Sequence, residues 1–193
     1  MARAQYIGVA GVARRTVNQH IGVDGVARTV KRGYIGVSGI ARKFYPTPPE
    51  MEFSLVPGDS QVMYDDSYAG IYGDDILLKV VASFSYNTGN RACANLDLDH
   101  VGAYAGEQLV IWYKWAVDIN WCDALLYFFG ADGQVIQQIT LPDQSSYYGG
   151  EESYTIPAGT ARIQIANTIG KAGGTWTITM TISSITIGGD KIF

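Results

Sequence analysis

Histidine and cysteine, the commonest base and the strongest nucleophile near neutral pH, are few in this chain of 193 residues: two histidines, His20 and His100, and two cysteines, Cys93 and Cys122. A thiol hydrolase needs a Cys–His pair oriented by a third group. His100, in Leu96-Asp-Leu-Asp-His100, is the one candidate to serve Cys122, but neither residue sits in a local motif and no third partner is marked. His20 occupies a position held by Tyr6 and Tyr34 in two sister segments, so packing accounts for it better than chemistry. The cysteines do not have the number or spacing of a disulfide framework and read as buried free thiols.

The carboxylate doublets Asp65-Asp66, Asp74-Asp75 and Glu151-Glu152 invite a glycosidase reading. That chemistry needs two carboxyls about 5–10 Å apart across one sugar. Adjacent residues on a strand point to opposite faces, so a doublet supplies at most one of them. Calcium, a hard cation, takes ligands such as Asp65, Asp66, Asp74 and Asp75 with loop carbonyls, but these aspartates follow no fixed-spacing signature. The glycines at Gly-x-x-Gly spacing are followed by strand-forming residues rather than a helix start, so they do not form a phosphate loop. The expectation is a protein that is not an enzyme, with no catalytic residue, no metal site and no cofactor.

Recognition chemistry is better represented. A planar ring in a loop or on an open sheet face can stack on a sugar. Trp112, Trp121, Tyr147 and Tyr148 are the candidate glycan-binding residues, and Tyr64, Tyr68 and Tyr72 also fall in turn-rich segments. The face-mates of Trp112 are Val110, Lys114, Ala116 and Asp118, with no cluster of hydrogen-bonding groups among them. Packing in a second sheet or at a subunit interface is therefore the stronger expectation for Trp112.

The elements that must carry these residues divide by charge. Residues 1–45 hold eight bases (Arg3, Arg14, Arg15, Arg28, Lys31, Arg32, Arg42 and Lys43) against one acid, Asp24, a net of +7. Residues 46–193 hold six bases and seventeen acids, a net of −11. Opposite charges on two segments point to different partners. The bases of the first segment alternate with Ile, Val and Ala instead of forming a polar stripe, which favours an acidic protein surface over nucleic acid. No run of eighteen or more apolar residues is present to span a membrane as a helix. The start, Met1-Ala-Arg-Ala-Gln-Tyr-Ile, lacks the layout of a secretion signal, so any exit from a cell is expected by another route such as lysis.

The basic segment is a threefold repeat. Tyr6-Ile-Gly-Val-Ala-Gly-Val-Ala-Arg14 recurs from His20 to Arg28 and from Tyr34 to Arg42, with Ile7, Ile21 and Ile35 spaced by fourteen residues. Each unit reads as a β-hairpin closed by a two-residue turn, Asp24-Gly25 being the most favourable of the three. That register pairs Val9 with Val12, Gly8 with Ala13 and Ile7 with Arg14. The Gly/Ala pairs leave almost no bulk, so another backbone can approach closely. Forty-five residues with few aromatics cannot bury a core alone. The segment is therefore read as an anchoring or oligomerisation module carried by Ile7, Gly8, Arg14, Ile21, Gly22, Arg28, Ile35, Gly36 and Arg42. Tyr45-Pro-Thr-Pro-Pro49 is a stiff spacer, which places a linker at 46–50 and a second domain at 51–193.

The second domain alternates with the period of half-buried strands. Leu109, Ile111, Tyr113, Trp115, Val117 and Ile119 share a presumed core face. Leu125 to Phe129 is wholly apolar and reads as a central core strand. Val135 to Leu141 alternates, a Pro157-Ala-Gly corner separates two further strands, and Thr177, Thr179 and Thr181 mark the wet side of a last strand. Segments 76–86 and 92–98 complete about eight strands. The fold expected is all-β: hairpin repeats followed by a jelly-roll-like β-sandwich.

Over residues 75–188, the Gly-Glu-Gln-Leu-Val-Ile-Trp-Tyr strand, the Phe-Gly-Ala-Asp-Gly-Gln-Val turn and Ile-Pro-Ala-Gly-Thr-Ala-Arg-Ile-Gln-Ile resemble the carbohydrate-binding-module type of jelly roll. Over residues 6–45, the repeats, closed by Ala41-Arg-Lys-Phe-Tyr45, resemble those of virion structural proteins of tailed phages and prophages of Gram-positive bacteria. The second resemblance implies a head decoration, fibre or tail-associated protein located in the virion. Its implied partners are other virion proteins and copies of itself, a trimer being the favoured homo-oligomer. The alternative is a carbohydrate-binding module acting as a receptor-binding tip on a host surface glycan.

Overall fold

The computed structural model describes residues 6–9, 12–15, 20–23, 26–29, 33–37, 40–45, 49–58, 62–84, 89–98, 101–115, 122–144, 149–169 and 174–193. Every element among them is a strand.

Six short strands make up the repeats: β1 (Tyr6–Val9), β2 (Val12–Arg15), β3 (His20–Val23), β4 (Val26–Thr29), β5 (Gly33–Val37) and β6 (Ile40–Tyr45). They pair as β1-β2, β3-β4 and β5-β6, each pair a two-stranded antiparallel sheet of its own. The register is the one expected: Val9 opposite Val12, Gly8 opposite Ala13 and Ile7 opposite Arg14, with the same pairing at Gly22–Ala27 and Gly36–Ala41. The turn residues and Pro46 to Pro48 lie outside the described residues, as do the side chains of the repeats.

The remaining strands are β7 (Glu50–Val56), β8 (Val62–Met63), β9 (Tyr68–Tyr72), β10 (Asp75–Phe84), β11 (Asn90–Asp97), β12 (Gln108–Trp115), β13 (Cys122–Phe129), β14 (Val135–Thr140), β15 (Gly150–Thr155), β16 (Arg162–Ile169), β17 (Gly174–Ile187) and β18 (Asp190–Lys191). They form two antiparallel sheets. One has seven strands, in the order β15-β12-β17-β10-β8 with β9 and β18 at its margins; the other has five, in the order β14-β13-β16-β11-β7. From β10 to β17 the chain passes repeatedly between the sheets, as a jelly roll does.

Alternation decides what fills the space between the sheets. Leu109, Ile111, Tyr113 and Trp115 face Leu126, Phe128, Ile163 and Ile165 across one buried cluster that also holds Ile76, Leu78, Ile178, Met180 and Ile182. Each such side chain removed from water contributes about 1.5–3 kcal/mol. One polar residue ties the sheets together inside this cluster. Asn167 of β16, fully buried, accepts a hydrogen bond from Trp115 Nε1 at 2.9 Å and donates one to the Leu78 carbonyl at 2.8 Å.

One expectation needs correction. Val135 to Thr140 alternates in sequence, yet β14 is exposed on both faces except at Ile139, because it is an edge strand beyond the reach of the opposite sheet. Leu125 to Phe129 does belong to an interior, buried strand as expected: Leu126 and Phe128 enter the core between the sheets, while Leu125, Tyr127 and Phe129 lie on the outer side of the five-stranded sheet.

Candidate ligand-binding face

The outer side of the five-stranded sheet is assembled by register. Reading from β13 through β16 and β11 to β7, its rows are Asp123–Thr168–Arg91–Val56, Leu125–Ala166–Cys93–Ser54, Tyr127–Gln164–Asn95–Glu52 and Phe129–Arg162–Asp97–Glu50. Positions on the outside of a sandwich are ordinarily wet. Here Cys93, Ala166, Leu125, Tyr127, Thr168 and Asn95 are buried. Part of the cover comes from the face itself, since Arg91 reaches over the Tyr127 ring, 5.9 Å from its centroid, and Arg162 lies over Phe129 at 4.5 Å. The rings of Tyr127 and Phe129 stack at 5.7 Å with 26° between their planes.

The middle of the face is a short polar chain. Gln164 Nε2 donates to Asn95 Oδ1 at 2.7 Å, and Asn95 Nδ2 donates to Ser54 Oγ at 3.1 Å. At its ends the hydrogen bonding is incomplete. Among the described residues, the buried side-chain polar atoms without a hydrogen-bond partner are Arg91 Nε, Arg162 Nε and Thr168 Oγ1, and all three lie on this face. A buried donor left unmade costs about 1–3 kcal/mol, so three on one surface is an unusual concentration in a folded chain.

A cation–π contact accounts for the unpartnered Nε of each arginine. The ring engages the flat side of the guanidinium, and its N–H groups project in the plane, away from the ring. Arg162 also lies over Phe129 on one side while its other cross-strand neighbour, Asp97, is on the opposite side. Beyond residue 45 the chain has only two arginines, Arg91 and Arg162, in a segment of net charge −11. Both stand on this face, with the exposed acids Asp97, Asp123, Glu50 and Glu52 around the rim.

Burial pushes the Cys93 thiol up to about 11, with smaller opposing pulls from Arg91, Ser54 and Arg162. Burial likewise raises Tyr127, against a smaller opposing pull from Arg91. Cys122 is also pushed up to about 11, by burial and then by Asp123. Both cysteines are free. Cys93 faces outward and Cys122 belongs to the core, so the sheet separates them and a bond between them is sterically barred. A protonated thiol facing a core is no nucleophile; His100, its suggested partner, lies outside the described residues.

The residues singled out in the sequence fall elsewhere. Trp112 is half-buried on the outer side of the seven-stranded sheet, beside Glu151 and Ser184. Its indole edge runs against Gly149: a Cβ there would stand 2.8 Å from Cη2, and the glycine's φ is +77°. Trp121, Tyr147 and Tyr148 lie outside the described residues. Tyr64, Tyr68 and Tyr72 are exposed, with the Tyr68 hydroxyl donating to the Ile71 carbonyl at 2.8 Å. Asp66 pairs with Lys79 at 3.5 Å and Asp75 accepts from Ser183 Oγ at 2.6 Å. Among the described residues no group of three or more His, Cys, Asp or Glu is placed to hold a metal ion.

The face built by Tyr127, Phe129, Arg91 and Arg162 was not singled out from the sequence. The available signal was the scarcity of arginine after residue 45, with each one at an outward strand position.

No protein-family model matches the chain, and no curated protein sequence matches it. Solved structures similar to it include the enzymatically active domain of tailspike protein 4 of bacteriophage CBA120, at 14% identity and a TM-score of 0.39 over 72% of this chain. The chain spans 19% of that tailspike domain's length. A carbohydrate-binding module of the CBM4 type is similar at 14% identity and a TM-score of 0.40, over 74% of this chain and 88% of the module. The module TmCBM61, solved with β-1,4-galactotriose, is similar at 10% identity and a TM-score of 0.34, over 72% and 88% of the two chains.

Proposed function

We propose that this chain is a non-enzymatic virion component, anchored by its hairpin repeats, whose sandwich binds a glycan on the outer side of the five-stranded sheet. The observation carrying the binding half is the concentration of stacked rings and partnerless polar atoms on that one face. Sugar recognition combines planar apolar surface with convergent hydrogen-bonding groups, and Tyr127, Phe129, Gln164, Asn95 and the two arginines supply both. The anchoring half rests on the +7 charge of the repeats, the bare Gly–Ala pairs in their register and their resemblance to phage virion repeats.

The test is retention of the full chain on an array of host cell-wall and capsular polysaccharides. Saturable binding that soluble polymer competes away is expected, and its absence across the array would remove the glycan reading. The anchor is tested separately: Gly22→Val in the full chain should block incorporation into particles, and wild-type incorporation of that variant would count against the bare-face contact.

A second reading, a purely structural subunit, is favoured by the open edge at β14, where Val135 and Ile136 are exposed on an uncharged strand. Unpaired edges invite pairing with another chain. In that case Val135→Lys would impair assembly, and no polysaccharide would be retained.

A further inference from the structure

We infer that the end of this face at Arg91, Thr168 and Gly89 is a subsite for the carboxylate of an acidic sugar, so that the glycan bound is a uronic-acid type of polymer. This rests on the glycan reading above and makes it specific. Arg91 and Thr168 are direct cross-strand partners on β11 and β16. Among the described residues, Arg91 Nε and Thr168 Oγ1 are both buried and without a hydrogen-bond partner, and the relative exposure of Thr168 is 8%. Gly89 stands beside them: a Cβ there would lie 3.0 Å from Thr168 Cγ2 and 3.6 Å from Arg91 Nε. A side chain there would press on the Thr168 methyl, so glycine keeps the backbone close beside the two unused donors.

Chemistry selects the ligand. A guanidinium presents coplanar N–H groups that match the two oxygens of a carboxylate, and an adjacent hydroxyl can donate to the same group. Arg91 is long enough to lift from the Tyr127 ring as an oxyanion enters over Gly89. The ring it uncovers is then available to a sugar plane. A uronic acid carries both features in one residue, a carboxylate and a pyranose face, whereas a polyol phosphate has the anion without the ring. Asp123, the other cross-strand neighbour of Thr168, is exposed and opposes an anion. It limits affinity and gives the subsite a sign that can be tested.

The experiment measures binding of the full chain to polygalacturonate and alginate, to the carboxyl-reduced form of each, and to poly(glycerol phosphate). At least one uronate polymer should bind, with its reduced form at least tenfold weaker. Thr168→Val and Gly89→Ala should each weaken that binding several-fold without lowering the melting temperature, and Asp123→Asn should strengthen it. Arg91→Lys, which keeps the charge and loses the fork, should fall with Thr168→Val. Equal binding of a polymer and its reduced form would overturn the carboxylate subsite and leave the glycan reading standing. So would failure of both uronates while a neutral polysaccharide on the array is retained. Binding of poly(glycerol phosphate) alone would overturn the sugar-ring requirement, and binding of nothing on the array would take both readings down together.

Discussion

The two outer sides of the sandwich start from the same pattern and end differently. On the seven-stranded sheet the outward residues of β17 are Thr177, Thr179 and Thr181, and neighbouring polar groups satisfy one another: Gln108 Nε2 donates to Thr155 Oγ1 at 2.8 Å, and Ser153 Oγ donates to Gln108 Oε1 at 2.9 Å. On the five-stranded sheet the outward residues bury a cysteine, a tyrosine and a threonine, and three buried polar atoms have no hydrogen-bond partner among the described residues. On both sides successive strand residues alternate between the core and the surface. What sets the proposed binding face apart is that its hydrogen bonds do not all close within the described residues, because unclosed donors that are also buried represent free energy a ligand can recover.

The seam between the two sheets should give the largest effect. Asn167→Ala would leave Trp115 Nε1 and the Leu78 carbonyl without their bonds and open a cavity, which should cost about 2–4 kcal/mol in urea unfolding. If the loss is below about 1 kcal/mol, the sheets are held by apolar packing alone.

Ligand retention should separate the faces next. Tyr127→Ala should reduce polysaccharide binding at least tenfold, as loss of a central aromatic anchor commonly does. Trp112→Ala, on the opposite face, should leave binding unchanged and act only on stability. Reversal of these two results would move the site to the seven-stranded sheet.

Alkaline pH probes the buried thiols on the two sides of the five-stranded sheet. Cys93 and Cys122 are each raised from 9.0 to about 11 in the folded chain. The folded state thus holds these protons more tightly than the unfolded one. Their contribution is fully present below about pH 9 and is lost as pH rises toward 11, a decline of about 1–3 kcal/mol per thiol. Urea midpoints at pH 8 and pH 10.5 should show that decline, and a Cys93→Ala, Cys122→Ala variant should lessen it, the remainder coming from tyrosines such as Tyr127 and Tyr154 that burial also raises. The smallest effect belongs to Thr179→Ala, expected within about 0.5 kcal/mol of wild type with binding intact. A larger change would mean that this side too is covered.

Much of the fold was legible in the residues. The repeat register followed from β-branched residues flanking two-residue turns, and it recurs in all three hairpins. The core face of β12 followed from period-2 alternation at Leu109, Ile111, Tyr113 and Trp115. Short strands such as β8 and β18, and the early strands β7 and β9, escaped notice. A two-residue strand has no period to detect, and Glu50–Val56 alternates too weakly to stand out from a linker.

The candidate site was not legible, and the reason is geometric. An apolar run such as Leu125-Leu-Tyr-Phe-Phe129 reads as buried on both sides, which hides the fact that Tyr127 and Phe129 face outward. Arg91, Thr168, Gln164 and Asn95 lie far apart along the chain and become neighbours only through the pairing of β11 with β16 and of β16 with β13. Composition and periodicity by themselves determined an all-β chain with a basic repeat segment and an acidic sandwich, because turn chemistry, alternation and charge are local properties. Only the tertiary structure decided which outward side carries unmet hydrogen bonds, because strand register is a pairing of distant segments and no single segment encodes its partner.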